Sequence, residues 1–318
     1  MRNELWNDAR AMNHHEIIGG ILRTEFNKET VERLDMSYLG AKIDSWWAHS
    51  HENFNSQIGF YSLQSLILEF IKPSHLETLR NIGQAEKRIA AVLLEYMFSQ
   101  PDKNLALLVH EVMAQIVGLI DIKYPYEEHK ELFPKEQAGG AVDWGKGLGI
   151  IRPHSDDLYE DRDINIMSLT VCKDISRTPT WFWLLKDVVS CLTDEELGQL
   201  ASSEATFFSG TNVEGQGIQV KKPILRRDDV EGLAIRLDFR IDNTVGPRMR
   251  SEDPAVTAII EKMRVGLKTL KPLASNPSTG TVAFLANFKI LHGRSQLNPV
   301  MLYEGESSRI LFRSKGIK

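Results

Sequence analysis

The stretch Ile151-Arg152-Pro153-His154-Ser155-Asp156-Asp157 lies near the middle of the chain and carries a His-x-Asp pair, His154 and Asp156. In extended backbone, residues two apart point to the same side of a strand, so an imidazole and a carboxylate converge from one segment. They supply two ligands of a two-histidine, one-carboxylate facial triad, which binds Fe(II) and leaves coordination positions open. The third ligand has to come from a distant histidine. His292, in Ala286-Asn287-Phe288-Lys289-Ile290-Leu291-His292-Gly293-Arg294-Ser295, follows about 140 residues later. Beyond it, Arg309 and Arg313 are four apart and share a face if their run is extended. A His-x-Asp pair alone occurs by chance in many chains. The order of pair, distal histidine and arginines is what gives this one weight.

Other clusters read as structural. His49-Ser50-His51-Glu52 is a rival metal site, but no matching ligand cluster follows it, and the segment reads as a surface loop. His110 falls inside a helical run with no partner motif. Gly139, Gly140, Gly145, Gly147 and Gly149 fit neither phosphate-binding frame, so they suggest close backbone packing. Asp157 would face away from Asp156 on a strand, in a solvated or supporting role.

The 318 residues, 42% of them hydrophobic, suffice for one large packed domain, taken here as residues 1–318. A net charge of −5 argues against a nucleic-acid partner. Two cysteines, Cys172 and Cys191, form no disulfide framework and suggest a reducing, cytoplasmic setting. The first residues do not read as a signal peptide, and no run approaches a membrane span. A homo-oligomer is compatible with this composition.

Residues 1–134 read as mainly helical. Thr30 to Leu39 has weak helical spacing, and 3.6-residue periodicity marks Tyr61 to Ile71, Ile82 to Met97 and Leu105 to Leu119, the last capped by Asp102. From 151 onward, short β-type runs alternate with turns. Helices are predicted over 187–200, with a Thr193-Asp-Glu-Glu196 capping box, and from Asp253-Pro254 to about Lys271. The expected class is α+β, with a closed or sandwiched β core over 135–318 and a lid of about 190–280.

His154, Asp156, the threonine Thr180 in Thr178-Pro-Thr-Trp-Phe-Trp, His292, Arg309 and Arg313 together resemble the clavaminate synthase-like, taurine dioxygenase-related branch of the Fe(II)/2-oxoglutarate dioxygenases. The resemblance covers roughly residues 135–318. It implies a double-stranded β-helix, or jelly-roll, core with flanking N-terminal helices and a helical lid insertion. It implies Fe(II), 2-oxoglutarate and O₂ as cofactor and co-substrates. Thr180 and Arg309 would hold the distal carboxylate of 2-oxoglutarate, and Arg313 the acidic group of the substrate. Asp156 occupies the position that related halogenases leave small, so hydroxylation is implied. The resemblance further implies a free, often basic, amino acid as substrate, L-lysine first, with arginine or ornithine behind it. Asp238 and Asp242, in Leu237-Asp238-Phe-Arg-Ile-Asp242, would then meet a cationic side chain, and Gln137 the α-amino or carboxylate end; pairing of the two carboxylates with Arg236 or Arg240 is the competing reading. The same chemistry on a carrier-bound, peptidyl or sulfonate substrate, a zinc hydrolase and a non-catalytic binding protein are the alternatives.

Overall fold

Ile89–Glu95 departs from the predicted helix. It is a strand with six of its seven residues buried. Its apolar run fits a helix or a two-sided buried strand, and periodicity does not separate them. The tertiary fold selects the strand, because Ile89–Glu95 lies between two others inside a large sheet. Thr30–Asp35, also read as weakly helical, is the parallel strand at its edge. The computed structural model describes residues 2–50, 56–123, 131–132, 148–210, 217–228, 232–297 and 309–318.

Two sheets organise these residues. The larger runs Thr30–Asp35, Ile89–Glu95, Val282–Ala286, Ile166–Asp174, Arg309–Ile317 and Ile120–Asp121, with Glu131–Leu132 also on the arginine-bearing strand. The smaller runs Leu273–Ala274, Thr180–Leu184, Ile290–Arg294 and Ile151–His154. Strand alternation assigns the faces. Ala91, Leu93, Met167, Leu169, Ala283 and Leu285 of the large sheet pack with Phe182, Leu184 and Ile290 of the small one. Val92, Val282, Phe284 and Phe312 point the other way, onto a core shared with Leu63, Ile67, Leu105, Val109 and Met113 of the N-terminal helices. The predicted α+β class and the outer position of those helices are both observed.

Local signals account for the helix starts. Asp102 accepts hydrogen bonds from the backbone of Asn104 and Leu105 at the head of Lys103–Val117. Thr193 and Glu196 form the complete capping box of Asp194–Ala201. His49 lies in the last turn of the helix Ser37–Ser50 instead of in a loop, while His51 and Glu52 lie outside the described residues. His110 is buried between the Thr170 and Ser314 hydroxyls, at 2.9 and 3.0 Å, in the structural role expected.

The 190–280 insertion is mixed rather than helical. The helices Asp194–Ala201 and Pro254–Gly266 flank a run of short strands. Leu197, Leu200, Phe207, Val256 and Met263 form a hydrophobic core with Leu22 and Phe26 of the first helix, Arg2–Phe26. Trp183 and Leu291, on the outward side of the small sheet, join that core. The insertion thus braces the sheet that carries His292.

Glu29, just before the edge strand, is buried, and its Oε2 has no hydrogen-bond partner among the described residues. Burial pushes its carboxyl up to about 8, against the opposing pull of Lys289 and Arg88. A raised folded-state pKa means that this contribution to stability is complete below the ordinary value of 4.5 and is lost as pH rises towards 8. Glu29→Gln is therefore expected to melt higher than the parent at pH 8.5, by up to a few kcal/mol in stability, with the two curves converging near pH 4.5. Thermal melts across that range check it.

Candidate metal centre

The His154 strand is held on both sides. His292 lies directly opposite His154 in the ladder between Ile151–His154 and Ile290–Arg294. On the other side, Phe239 N–H donates to the Pro153 carbonyl at 3.0 Å and Ser155 N–H to the Leu237 carbonyl at 2.9 Å. The strands with His154 and His292 approach closely at Gly293. A Cβ there would lie 2.4 Å from the Ile151 carbonyl oxygen, so only glycine fits beside the distal histidine.

The strand ends at His154, and Asp156 sits in the turn that follows. Its position therefore does not come from strand alternation, as the sequence suggested. It comes from Asn287. The Asn287 Oδ1 accepts the Asp156 backbone N–H at 2.8 Å, and its Nδ2 donates to the carbonyls of Asp156 at 3.0 Å and Ile164 at 3.2 Å. Asp157 takes a left-handed backbone with φ 57°. It is not solvated: its carboxylate is buried in an ion pair with Lys315 at 2.5 Å, beside the Tyr159 hydroxyl. A left-handed non-glycine residue turns the chain sharply after Asp156.

Three ligand atoms, one each from His154, Asp156 and His292, lie within 4.8 Å of one another, and all three residues are buried. The His154 and His292 rings are 4.2 Å apart between centroids. His154 Nε2 is 3.2 Å from Asp156 Oδ1, and His292 Nε2 is 3.8 Å from Oδ2. Metal bonds of about 2.1 Å at right angles set neighbouring donors about 3 Å apart, so small side-chain adjustments complete a face. His154 Nδ1 meets the Arg152 carbonyl at 2.8 Å. A carbonyl only accepts, so Nδ1 carries the proton and Nε2, beside the Asp156 carboxylate, is the ring atom left to ligate. Two imidazoles and one carboxylate converging within 4.8 Å are a donor set that fits a divalent metal ion.

Electrostatics agree. Burial alone would raise the Asp156 carboxyl, but its contact with His154 and the nearness of His292 and Arg313 hold it well below the usual carboxylate range. Burial, then the neighbouring His154, push the His292 ring well below its ordinary value. The carboxylate is ionised and the His292 ring neutral near pH 7, as ligation requires.

The cavity beside this cluster is lined by Ile151, Met167, Leu169 and Leu311 on its apolar side, and by Thr180, Arg240, Arg294, Arg309 and Arg313 on its polar side. Thr180 and the two arginines of Arg309–Ile317 thus share one cavity with the cluster. Arg309 donates from Nε to Asp174 at 3.0 Å and from Nη2 to the Thr178 carbonyl. Arg313 Nη1 lies 3.5 Å from Asp156 Oδ2.

Asp238 and Asp242 do not line this cavity among the described residues. Asp238 takes Arg240 along one edge of its guanidinium, at 2.7–3.2 Å. Asp242 accepts the backbone N–H groups of Thr244 and Val245, closing a turn. Strand pairing is interrupted between the His154–Asp238 bridge and the short strand Ile241–Asp242, and the two carboxylates take separate partners instead of sharing the cavity face. Gln137 lies outside the described residues.

Asn287 and Arg240 were not singled out by the motif. The signal for Asn287 was present: a lone amide in the otherwise apolar Val282–Phe288 run. Asn287→Ala is expected to leave three buried backbone groups without partners. The cost is about 2 kcal/mol or more, with a 10- to 100-fold loss of metal affinity as Asp156 loosens. Denaturant melts and metal titration measure the two effects separately.

A scan against protein-family models finds no match, and a search of curated proteins finds none. Solved structures do match in fold. An asparagine oxygenase in complex with Fe(II), 3-hydroxyasparagine and succinate superposes with a TM-score of 0.67 at 11% identity, covering 90% of this chain and 93% of that one. The non-haem iron oxygenase OrfP with iron and α-ketoglutaric acid gives 0.64 at 13%, covering 91% and 94%. OrfP with iron, succinate and (3S)-hydroxy-L-arginine gives 0.62 at 14%, with the same coverage. At these identities the shared property is the fold.

Proposed function

We propose that this chain is an Fe(II)- and 2-oxoglutarate-dependent dioxygenase that hydroxylates a C–H bond of a free amino acid, its two sheets forming a cupin-like jelly roll. The observation that carries this reading is the convergence of His154, Asp156 and His292 in one cavity with Thr180, Arg309 and Arg313. The oxygenases of similar fold hold iron with α-ketoglutaric acid or succinate, which supports it.

His154, Asp156 and His292 would hold the iron, which when bound supplies O₂ activation and redox chemistry. Thr180 and Arg309 would hold the distal carboxylate of 2-oxoglutarate. A guanidinium suits that task, because it stays charged when buried and offers a planar fork of donors. Asp174 and the Thr178 carbonyl fix the Arg309 head, so its donors are oriented before the co-substrate arrives. Arg313, beside Asp156, would take an acidic group of the substrate and bring the target carbon towards the metal face. The apolar wall of Met167, Leu169 and Leu311 restricts water near the reacting centre.

A basic substrate such as lysine follows from the resemblance alone. Among the described residues, the one carboxylate on the cavity wall is Asp156, a metal ligand in this reading. A buried ammonium would therefore need a partner from elsewhere.

Anaerobic calorimetry with Fe(II) and then 2-oxoglutarate tests the reading, followed by aerobic assay of succinate with a panel of free amino acids. Fe(II)-dependent binding of 2-oxoglutarate, and a product heavier by one oxygen, are expected. Absence of that binding would falsify the proposal. Zinc uptake with hydrolysis and no need for 2-oxoglutarate would instead favour a hydrolase.

A further inference from the structure

Arg240 stands at the inner wall of the cavity, next to the candidate metal ligands. It is 7% exposed, and its partner Asp238 is 1% exposed. Asp238 grips one edge of the guanidinium, taking Nε at 2.9 and 3.2 Å and Nη2 at 2.7 Å. The same carboxylate accepts the Arg240 backbone N–H at 3.0 Å. The head is thus fixed in rotation and in plane. Nη1, on the opposite side of the head, approaches Asp156 Oδ1 at 3.9 Å, beyond hydrogen-bond distance.

The segment that carries Arg240 is tied to the metal-binding strand by two backbone hydrogen bonds, Ser155 to Leu237 and Phe239 to Pro153. Arg240 is therefore registered against His154 and Asp156 by the backbone itself. Burial would lower the Arg240 pKa, but Asp238 outweighs it and raises the value, so the cation is permanent. Such a group is a preorganised anion receptor: oriented N–H donors in a site of low dielectric, with no reorganisation left on binding. Arg313 Nη1 approaches the other oxygen of Asp156, at 3.5 Å. Two guanidinium groups thus flank the metal-ligating carboxylate.

Resting on the oxygenase reading above, we propose that Arg240 binds a carboxylate of the substrate, opposite the carboxylate taken by Arg313. The substrate class is then a free amino acid with an acidic side chain. One carboxylate seats on each arginine, and the intervening carbons lie before the metal face. Asp238 is a positioning residue for Arg240 and does not touch the substrate. A lysine or arginine side chain in this place would face a fixed like charge, which discriminates against it.

Anaerobic calorimetry on the protein loaded with Fe(II) and 2-oxoglutarate tests this, with L-aspartate, L-glutamate, their amides, L-lysine and L-arginine as titrants. An acidic amino acid is expected to bind about 10- to 100-fold more tightly than its amide, and more tightly still than the basic ones. Arg240→Gln is expected to lose about the same factor for the acidic ligand while 2-oxoglutarate affinity changes little. The double variant Asp238→Asn with Arg240→Gln removes both buried charges together and keeps the fold testable. It should show the same loss, and Arg240→Lys a partial recovery. Tighter binding of a basic amino acid by the parent protein, or unchanged acidic affinity in the folded double variant, would overturn the assignment of Arg240. Failure of 2-oxoglutarate itself to bind would overturn the oxygenase reading, and this inference with it.

Discussion

Asp156→Ala is expected to abolish Fe(II)-dependent binding of 2-oxoglutarate and reduce succinate formation to background. The expected loss of metal affinity exceeds about 100-fold, beyond the 10- to 100-fold that removing a supporting group costs. The carboxylate is the one anionic member of the cluster, and it lies within 4 Å of both histidines, Arg240 and Arg313. Alanine removes a ligand and at the same time leaves the Arg240 and Arg313 guanidinium groups without the carboxylate between them, so the site becomes repulsive towards any metal ion. Asp156→Asn keeps the shape and removes the charge. Metal titration of the two variants beside the parent separates geometry from charge. Metal affinity within a few-fold of the parent in both would mean that the His154–Asp156–His292 cluster is not the metal site.

Arg309→Ala is expected to act twice. Its partner Asp174 has a side chain only 1% exposed, so removing the guanidinium leaves a buried carboxylate with the Ser176 hydroxyl in place of a cation. Breaking a buried pair from one side costs about 3–5 kcal/mol, here at the lower end because Ser176 remains. The second effect is on 2-oxoglutarate, whose affinity is expected to fall about 10- to 100-fold with loss of a charge-assisted contact. The double variant Asp174→Asn with Arg309→Gln removes both buried charges and should recover most of the stability but none of the affinity. Denaturant melts read the first effect and calorimetry the second. Recovery of affinity in the double variant would show that Arg309 supports the fold without meeting the co-substrate.

Residue types and their local chemistry were legible in the chain itself. His154, Asp156, His292, Thr180, Arg309 and Arg313 were picked out by kind and order, and they border one cavity. The caps at Asp102 and at Thr193 with Glu196 were readable because capping is decided within four residues of chain. What depended on distant partners was not readable. Ile89–Glu95 carries an apolar pattern that a helix and a two-sided strand share, and only the strands on either side of it select between them. Asp156 is aimed by an amide 131 residues away rather than by strand alternation. Asp238 faces Arg240 instead of the cavity, which reverses the charge presented at that wall. A sequence records which charges exist along the backbone. The direction each one faces is set by which neighbour neutralises it once water is excluded, and that neighbour is chosen by the packing of segments far apart in the chain.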